Sequence, residues 1–127
     1  MPLPTVRVLI VDDYESLRYL KSILLRRAGA VVCEAKCGQE ALQMLQTERP
    51  DLALLDINLP DMSAKELSEK MRADPATSAV PVIYTSASDR PSQLEPGDVF
   101  FQEPLDVSAL INAIRESVGR ENADGGT

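Results

Sequence analysis

Three aspartates stand where apolar runs stop. The run Val6–Val11 leads straight into Asp12-Asp13, and Asp51–Asp56 closes on Asp56 itself. In an open α/β sheet, ligands bind outside the carboxyl ends of the strands. If the two runs are neighbouring strands, three carboxylates meet at one mouth. Like charges that close raise one another's pKa unless a cation joins them. A few carboxylates with positions left open suit Mg²⁺, which keeps several waters and takes one or two carboxylates plus phosphate oxygens. A lone strand-end aspartate would be read as a cap for the helix that follows. A pair plus a third on alternating units favours metal and phosphate handling.

The elements that must position these acids follow from periodicity. Val6–Val11, Ala30–Ala35, Asp51–Asp56, Val80–Thr85 and Val99–Phe101 are short and apolar, and the first is rich in β-branched residues, as buried strands are. Between them, Glu15–Arg27 carries Leu17, Leu20, Ile23, Leu24 and Ala28 at helical spacing, with Gly29 placed as a C-terminal cap. Gln39–Glu48 turns Ala41, Leu42 and Leu45 inward and stops before Pro50. Ser63 and Glu66 have capping-box spacing ahead of a helix that buries Leu67 and Met71 and ends near Asp74-Pro75. Val107–Val118 keeps Val107, Leu110, Ile111, Ile114 and Val118 on one face. Alternation of strands and helices predicts a parallel sheet covered on both faces. The stretch Ser88–Asp98 breaks the rhythm: parallel strands need a crossover, yet Pro91, Pro96 and Gly97 leave room for about one helical turn. Residues 1–120 are read as one domain, and 121–127 as a disordered tail or the start of a linker.

Composition narrows the chemistry. The 127 residues suffice for one core without staples. With 13 basic and 20 acidic residues the net charge is −7, which argues against direct nucleic-acid binding. There is no histidine, hence no histidine base, metal ligand or phosphocarrier. Cys33 and Cys37 lack the second pair of a structural zinc site and are read as free thiols in a reducing cytoplasm. No signal peptide or membrane-length apolar run is apparent.

The runs Val8–Asp13, Asp51–Asp56 with Leu59-Pro60-Asp61-Met62, and Pro81–Ala87 together resemble the receiver domain of bacterial two-component response regulators, over about Val6 to Val118. The resemblance implies a flavodoxin-like, three-layer α/β fold: one five-stranded parallel sheet of order 2-1-3-4-5 with helices on both faces. It implies that Asp56 accepts a phosphoryl group from a phosphohistidine of a sensor histidine kinase or a histidine phosphotransfer protein. Asp13, Asp56 and the main-chain carbonyl of Asn58 would hold Mg²⁺, with Asp12 acting through water. Ser86 would hydrogen-bond the phosphoryl group, Thr85 would point to the other side of the strand, and Ala87 would leave room. Phe100 matches the family's switch aromatic, although Phe101 competes and both could be plain core. Tyr14, Leu17, Arg18 and Lys21 on the first helix would line the kinase-docking surface, with ordinary helix surface a substantial alternative for Arg18 and Lys21. Such a domain is no enzyme beyond slow loss of its own phosphoryl group, and would work in the cytoplasm, off the membrane, as a monomer or weak homodimer.

The pattern breaks at three places. The family's fifth strand ends in Lys-Pro, and a cis peptide there aims the lysine at the phosphoryl oxygens. This chain has Glu103-Pro104, so a cation is exchanged for an anion at a site already rich in acids. Ser86 and Glu103 are also separated by a short connection, residues 87–102, so the helix between strands four and five is expected to be short or absent. Each unpaired unit charge a few ångströms away in a partly buried site is worth on the order of a few kcal/mol. Arg90 is the candidate substitute cation, set against an ordinary solvated loop residue. Lys65, at the start of the third helix, is poorer. Ser63-Ala64 stands where the family usually has Asp-Gly, with little consequence expected for the chemistry. Two functions therefore compete: a phosphoryl-accepting switch, and a phosphorylation-independent pseudo-receiver serving as an interaction module. A metal-dependent hydrolase lacks any further acid, base or pocket signal. The chain is read as either a stand-alone regulator or a receiver taken from a larger protein.

Overall fold

The computed structural model describes the backbone of residues 6–125 and the side chains of residues 6–119. Five strands, β1 (Arg7–Val11), β2 (Val31–Ala35), β3 (Leu52–Asp56), β4 (Val82–Ser86) and β5 (Val99–Gln102), form one parallel sheet of order β2-β1-β3-β4-β5. Four helices pack on it: α1 (Glu15–Arg27), α2 (Gly38–Thr47), α3 (Ala64–Ala73) and α4 (Val107–Gly125). Helix α4 thus continues into the segment expected to be a tail; Gly126 and Thr127 lie outside the described residues. Among the described residues no helix is long and apolar enough to cross a membrane.

Strand alternation sends successive side chains to opposite faces and builds two cores. Leu9, Val11, Leu55 and Tyr84 meet Ala41, Leu45, Leu67 and Met71 beneath α2 and α3. Val8, Ile10, Leu54 and Ile83 meet Leu25, Leu110 and Ile114 beneath α1 and α4. Cys33 and Cys37 are free thiols.

Local chemistry sets the helix ends. Ser63 Oγ accepts from the Glu66 N–H at 3.0 Å, the expected N-cap. Gly29 adopts φ 102°, and the chain reverses after α1 with Gly29 N–H on the Arg26 carbonyl and Ala30 N–H on the Leu25 carbonyl.

Two expectations are corrected in α1. Leu20, placed inward by periodicity, is 51% exposed, and Lys21, placed on the docking surface, is buried. The buried face is Lys21, Ser22 and Leu25. Lys21 is drawn in by Asp12, Thr85 and Glu103 at the acidic mouth of the sheet.

No helix joins β4 to β5. Residues 87–98 form turns instead, and Leu94 fills the space from within the loop, 7% exposed and packed in the core beneath α3.

Candidate functional site

β1 and β3 are hydrogen-bonded neighbours, so their carboxyl ends deliver Asp12, Asp13 and Asp56 to one mouth. Carboxylate oxygens of the three lie within 4.8 Å of one another. Asp12 is fully buried, Asp56 half-buried and Asp13 exposed. Asp56 is pushed up from 3.8 to about 6, first by burial and then by the charge of Asp12, with Glu103 adding to it. The Asn58 N–H and Lys21 oppose that rise. Asn58 N–H donates to Asp56 Oδ1 at 3.3 Å, and Asn58 bridges to Ser63 across the loop after β3.

The donor set fits a divalent cation. Asp12 has both oxygens engaged, Oδ2 by Lys21 Nζ at 2.8 Å and Oδ1 by the Tyr14 N–H at 2.9 Å. Asp13 and Asp56 are left as the carboxylates free to enter an inner coordination sphere. Oxygen donors, few in number and beside open solvent, match the demands of Mg²⁺.

The cation of the site was not found by sequence reasoning. Lys21 Nζ sits 3% exposed between Asp12 Oδ2 at 2.8 Å, Thr85 Oγ1 at 3.1 Å and Glu103 Oε2 at 3.1 Å. These three acceptors use its three donors. Glu103 is held close by its own main chain, whose N–H donates to the Ser86 carbonyl at 2.8 Å, and the Glu103-Pro104 peptide is cis. The signal that could have found Lys21 is phase: Leu17, Lys21 and Leu25 lie on one i, i+4 row.

Arg90 is elsewhere. Its guanidinium donates to the carbonyls of Asp98 at 2.9 Å and Glu95 at 2.7 Å, bracing the β4–β5 loop. Lys65 reaches the same loop, pairing with Glu95 at 3.1 Å. Ser86 is buried at the end of β4, its Oγ accepting from the Ser88 N–H at 3.1 Å, and Ala87 follows it exposed. Phe100 packs part-buried against the α2–α3 core and Phe101 against the α1–α4 core. On α1, Tyr14 is 63% exposed, Leu17 is part-buried, and Arg18 is tied down, with Nε on Glu34 at 3.1 Å and a second nitrogen on the Asp12 carbonyl at 2.8 Å.

Known proteins resemble this chain in sequence and fold. The family model described as "Response regulator receiver domain" matches residues 8–97. The aerobic respiration control sensor protein ArcB of Escherichia coli K12 is 34% identical over 91% of this chain, which spans 16% of that protein. Protein PilH of Pseudomonas aeruginosa is 28% identical, covering 85% of this chain and 93% of its own. Among solved structures, a CheY-like response regulator receiver domain protein from Methanospirillum hungatei superposes with a TM-score of 0.82 at 26% identity, covering 94% of this chain and 98% of its own. With the sheet order, the three-acid mouth and this match in hand, the chain belongs to the response regulator receiver domain family of two-component signalling.

Proposed function

We propose that this domain accepts a phosphoryl group on Asp56, from a phosphohistidine of a histidine kinase or histidine phosphotransfer protein, in a Mg²⁺-dependent step, and thereby switches partner binding. The observation that carries the reading is the convergence of Asp12, Asp13 and Asp56 around one solvent-open point, with Asp56 at the lip. Asp56, whose carboxylate is the major form above about pH 6, attacks phosphorus. The O–P bond forms as the P–N bond to the donor imidazole breaks, and the imidazole keeps the electron pair. Mg²⁺, when bound, screens the approach of one anion to another at the phosphoryl oxygens. Asp13, Asp56 and the Asn58 carbonyl are its proposed ligands, and Asp12 acts through water.

Ser86, buried one residue beyond the partner of Asp56 on β4, is the proposed hydrogen-bond donor to the phosphoryl group. Its Oγ now accepts from Ser88 N–H, which leaves its own proton free to donate. Phe100 is the proposed switch aromatic, since it is part-buried on the face next to the loop that follows Ser86. Tyr14, Leu17 and Arg18 on α1 are the proposed contact for the donor protein; Tyr14 is exposed and the other two are part-buried. The domain is no enzyme beyond slow loss of its phosphoryl group, acts in the cytoplasm and as a monomer or weak homodimer, and binds no nucleic acid directly.

The test is incubation with acetyl phosphate and Mg²⁺ followed by intact-mass measurement. The wild-type chain gains one phosphoryl mass and Asp56→Asn gains none. An unmodified wild-type chain would favour the constitutive interaction module.

A further inference from the structure

The chain carries an acid where its family carries the phosphoryl-facing lysine, and the compensating charge lies on another element. We propose that Lys21 on α1 is the positioning cation of the phosphoryl site, held in place by Glu103, so that the cation expected at the end of β5 is supplied instead by α1. The inference rests on the reading of Asp56 as phosphoryl acceptor.

Three observations carry it. Lys21 is buried to 3% exposure although lysine rarely is, and all three of its donors are used at the mouth. Its Nζ is 2.8 Å from Asp12 Oδ2, and Asp12 in turn offers a carboxylate oxygen within 4.8 Å of one from Asp56. Finally, Glu103 Oε2 sits 3.1 Å from Nζ, so the residue that would repel an incoming dianion is neutralised by the residue that attracts it. Arg90 and Lys65 are engaged with the β4–β5 loop, and Arg18, which reaches the Asp12 main-chain carbonyl, is paired with Glu34.

Lys21 acts by charge and through Asp12, without losing a proton. As the Asp56 oxygen bonds to phosphorus and the leaving group departs with its electron pair, negative charge accumulates at the mouth. Lys21 offsets that charge and keeps Asp12 from repelling it.

The experiment compares phosphorylation rate from acetyl phosphate with Mg²⁺, read by intact mass, alongside Mg²⁺ affinity by calorimetry. The proteins are wild type, Lys21→Met, Lys21→Met/Glu103→Gln and Lys21→Met/Glu103→Lys. The neutral pair keeps the local net charge, so its Mg²⁺ affinity stays near wild type while its phosphorylation slows roughly tenfold or more. The pair with lysine at 103 restores the family arrangement and recovers the rate. A merely structural pair predicts the opposite for the neutral variant: a wild-type rate, even with Asp12 left without its Lys21 partner. That result, with wild type itself phosphorylated, would overturn the role of Lys21 and leave Asp56 as acceptor. If Lys21→Met alone does not fold, the two double variants still decide, because neither leaves Glu103 as an unpaired acid. If wild type stays unmodified while Lys21→Met/Glu103→Lys is modified, Lys21 is not acting as the site's cation. Absence of modification in every protein would overturn the Asp56 reading and this inference together.

Discussion

Lys21 on α1 and Glu103 at the end of β5 form a buried ion pair, Nζ to Oε2 3.1 Å, and the same Nζ holds Asp12 at 2.8 Å. The two sides of this pair are unequal. Removing Lys21 strands two carboxylates, one of them fully buried, whereas removing Glu103 leaves Lys21 still paired with Asp12. Breaking a buried pair from the side that leaves charge behind costs about 3–5 kcal/mol. Lys21→Ala should therefore lose about that much in urea denaturation, and Glu103→Ala about 1–2 kcal/mol. Equal losses would mean that Asp12 draws nothing from Lys21.

Asp56 is raised from 3.8 to about 6, so the folded state holds a proton that the unfolded chain has already released between those values. Stability from this group is present below pH 3.8 and is lost as pH rises towards 6 and beyond. In chelator, Asp56→Asn should be more stable than wild type at pH 7.5 by on the order of 1–2 kcal/mol, and the gain should vanish near pH 4. Adding Mg²⁺ should stabilise wild type more than Asp56→Asn. Thermal denaturation across pH checks both, and a gain that grows on acidification would contradict the assignment.

Asp61 reaches from the loop after β3 to the start of α2, its two oxygens accepting from Gly38 N–H at 2.8 Å and Gln39 N–H at 2.9 Å. Those bonds hold its carboxyl below the usual carboxylate range. Its stabilisation is thus present above the unfolded pKa and disappears as pH falls through the folded one. Asp61→Ala should lower the melting temperature at pH 7 and match wild type in strong acid. Gly38→Ala should also destabilise, because a Cβ there would come within 2.5 Å of Met62 Cγ.

Leu94 is the replacement for a missing helix. It is 7% exposed although it sits in a loop of turns. Leu94→Ala should cost about 2–3 kcal/mol, as a core truncation does, and should speed amide exchange across residues 87–98. A surface-like cost below about 0.5 kcal/mol would show that the loop does not rely on it.

Much of this was legible in the sequence because it depends on local signals. Aspartates that close apolar runs mark strand ends, Ser63 and Glu66 mark a helix start, and Pro91, Pro96 and Gly97 leave room for about one turn of a crossover helix. The phase of α1 was misread. Its apolar residues spread around the helix, so Leu20 was placed inward and the fully buried Leu25 was not, and a lysine inside is rare. Lys21 is buried where Asp12, Thr85 and Glu103 surround it, at or just beyond the carboxyl ends of three strands. The anomaly at Glu103 posed the right question, since an anion there demands a cation. The answer lay in tertiary packing, and Arg90, close in sequence to Ser86, was spent on the Glu95 and Asp98 carbonyls.

The most direct test locates the phosphoryl group itself. After acetyl phosphate and Mg²⁺, borohydride reduction converts an aspartyl phosphate to homoserine, which fragment masses place on the chain. Homoserine at position 56, absent in Asp56→Asn and absent without Mg²⁺, is the predicted result. Conversion at Asp12 or Asp13, or no conversion anywhere, would contradict it.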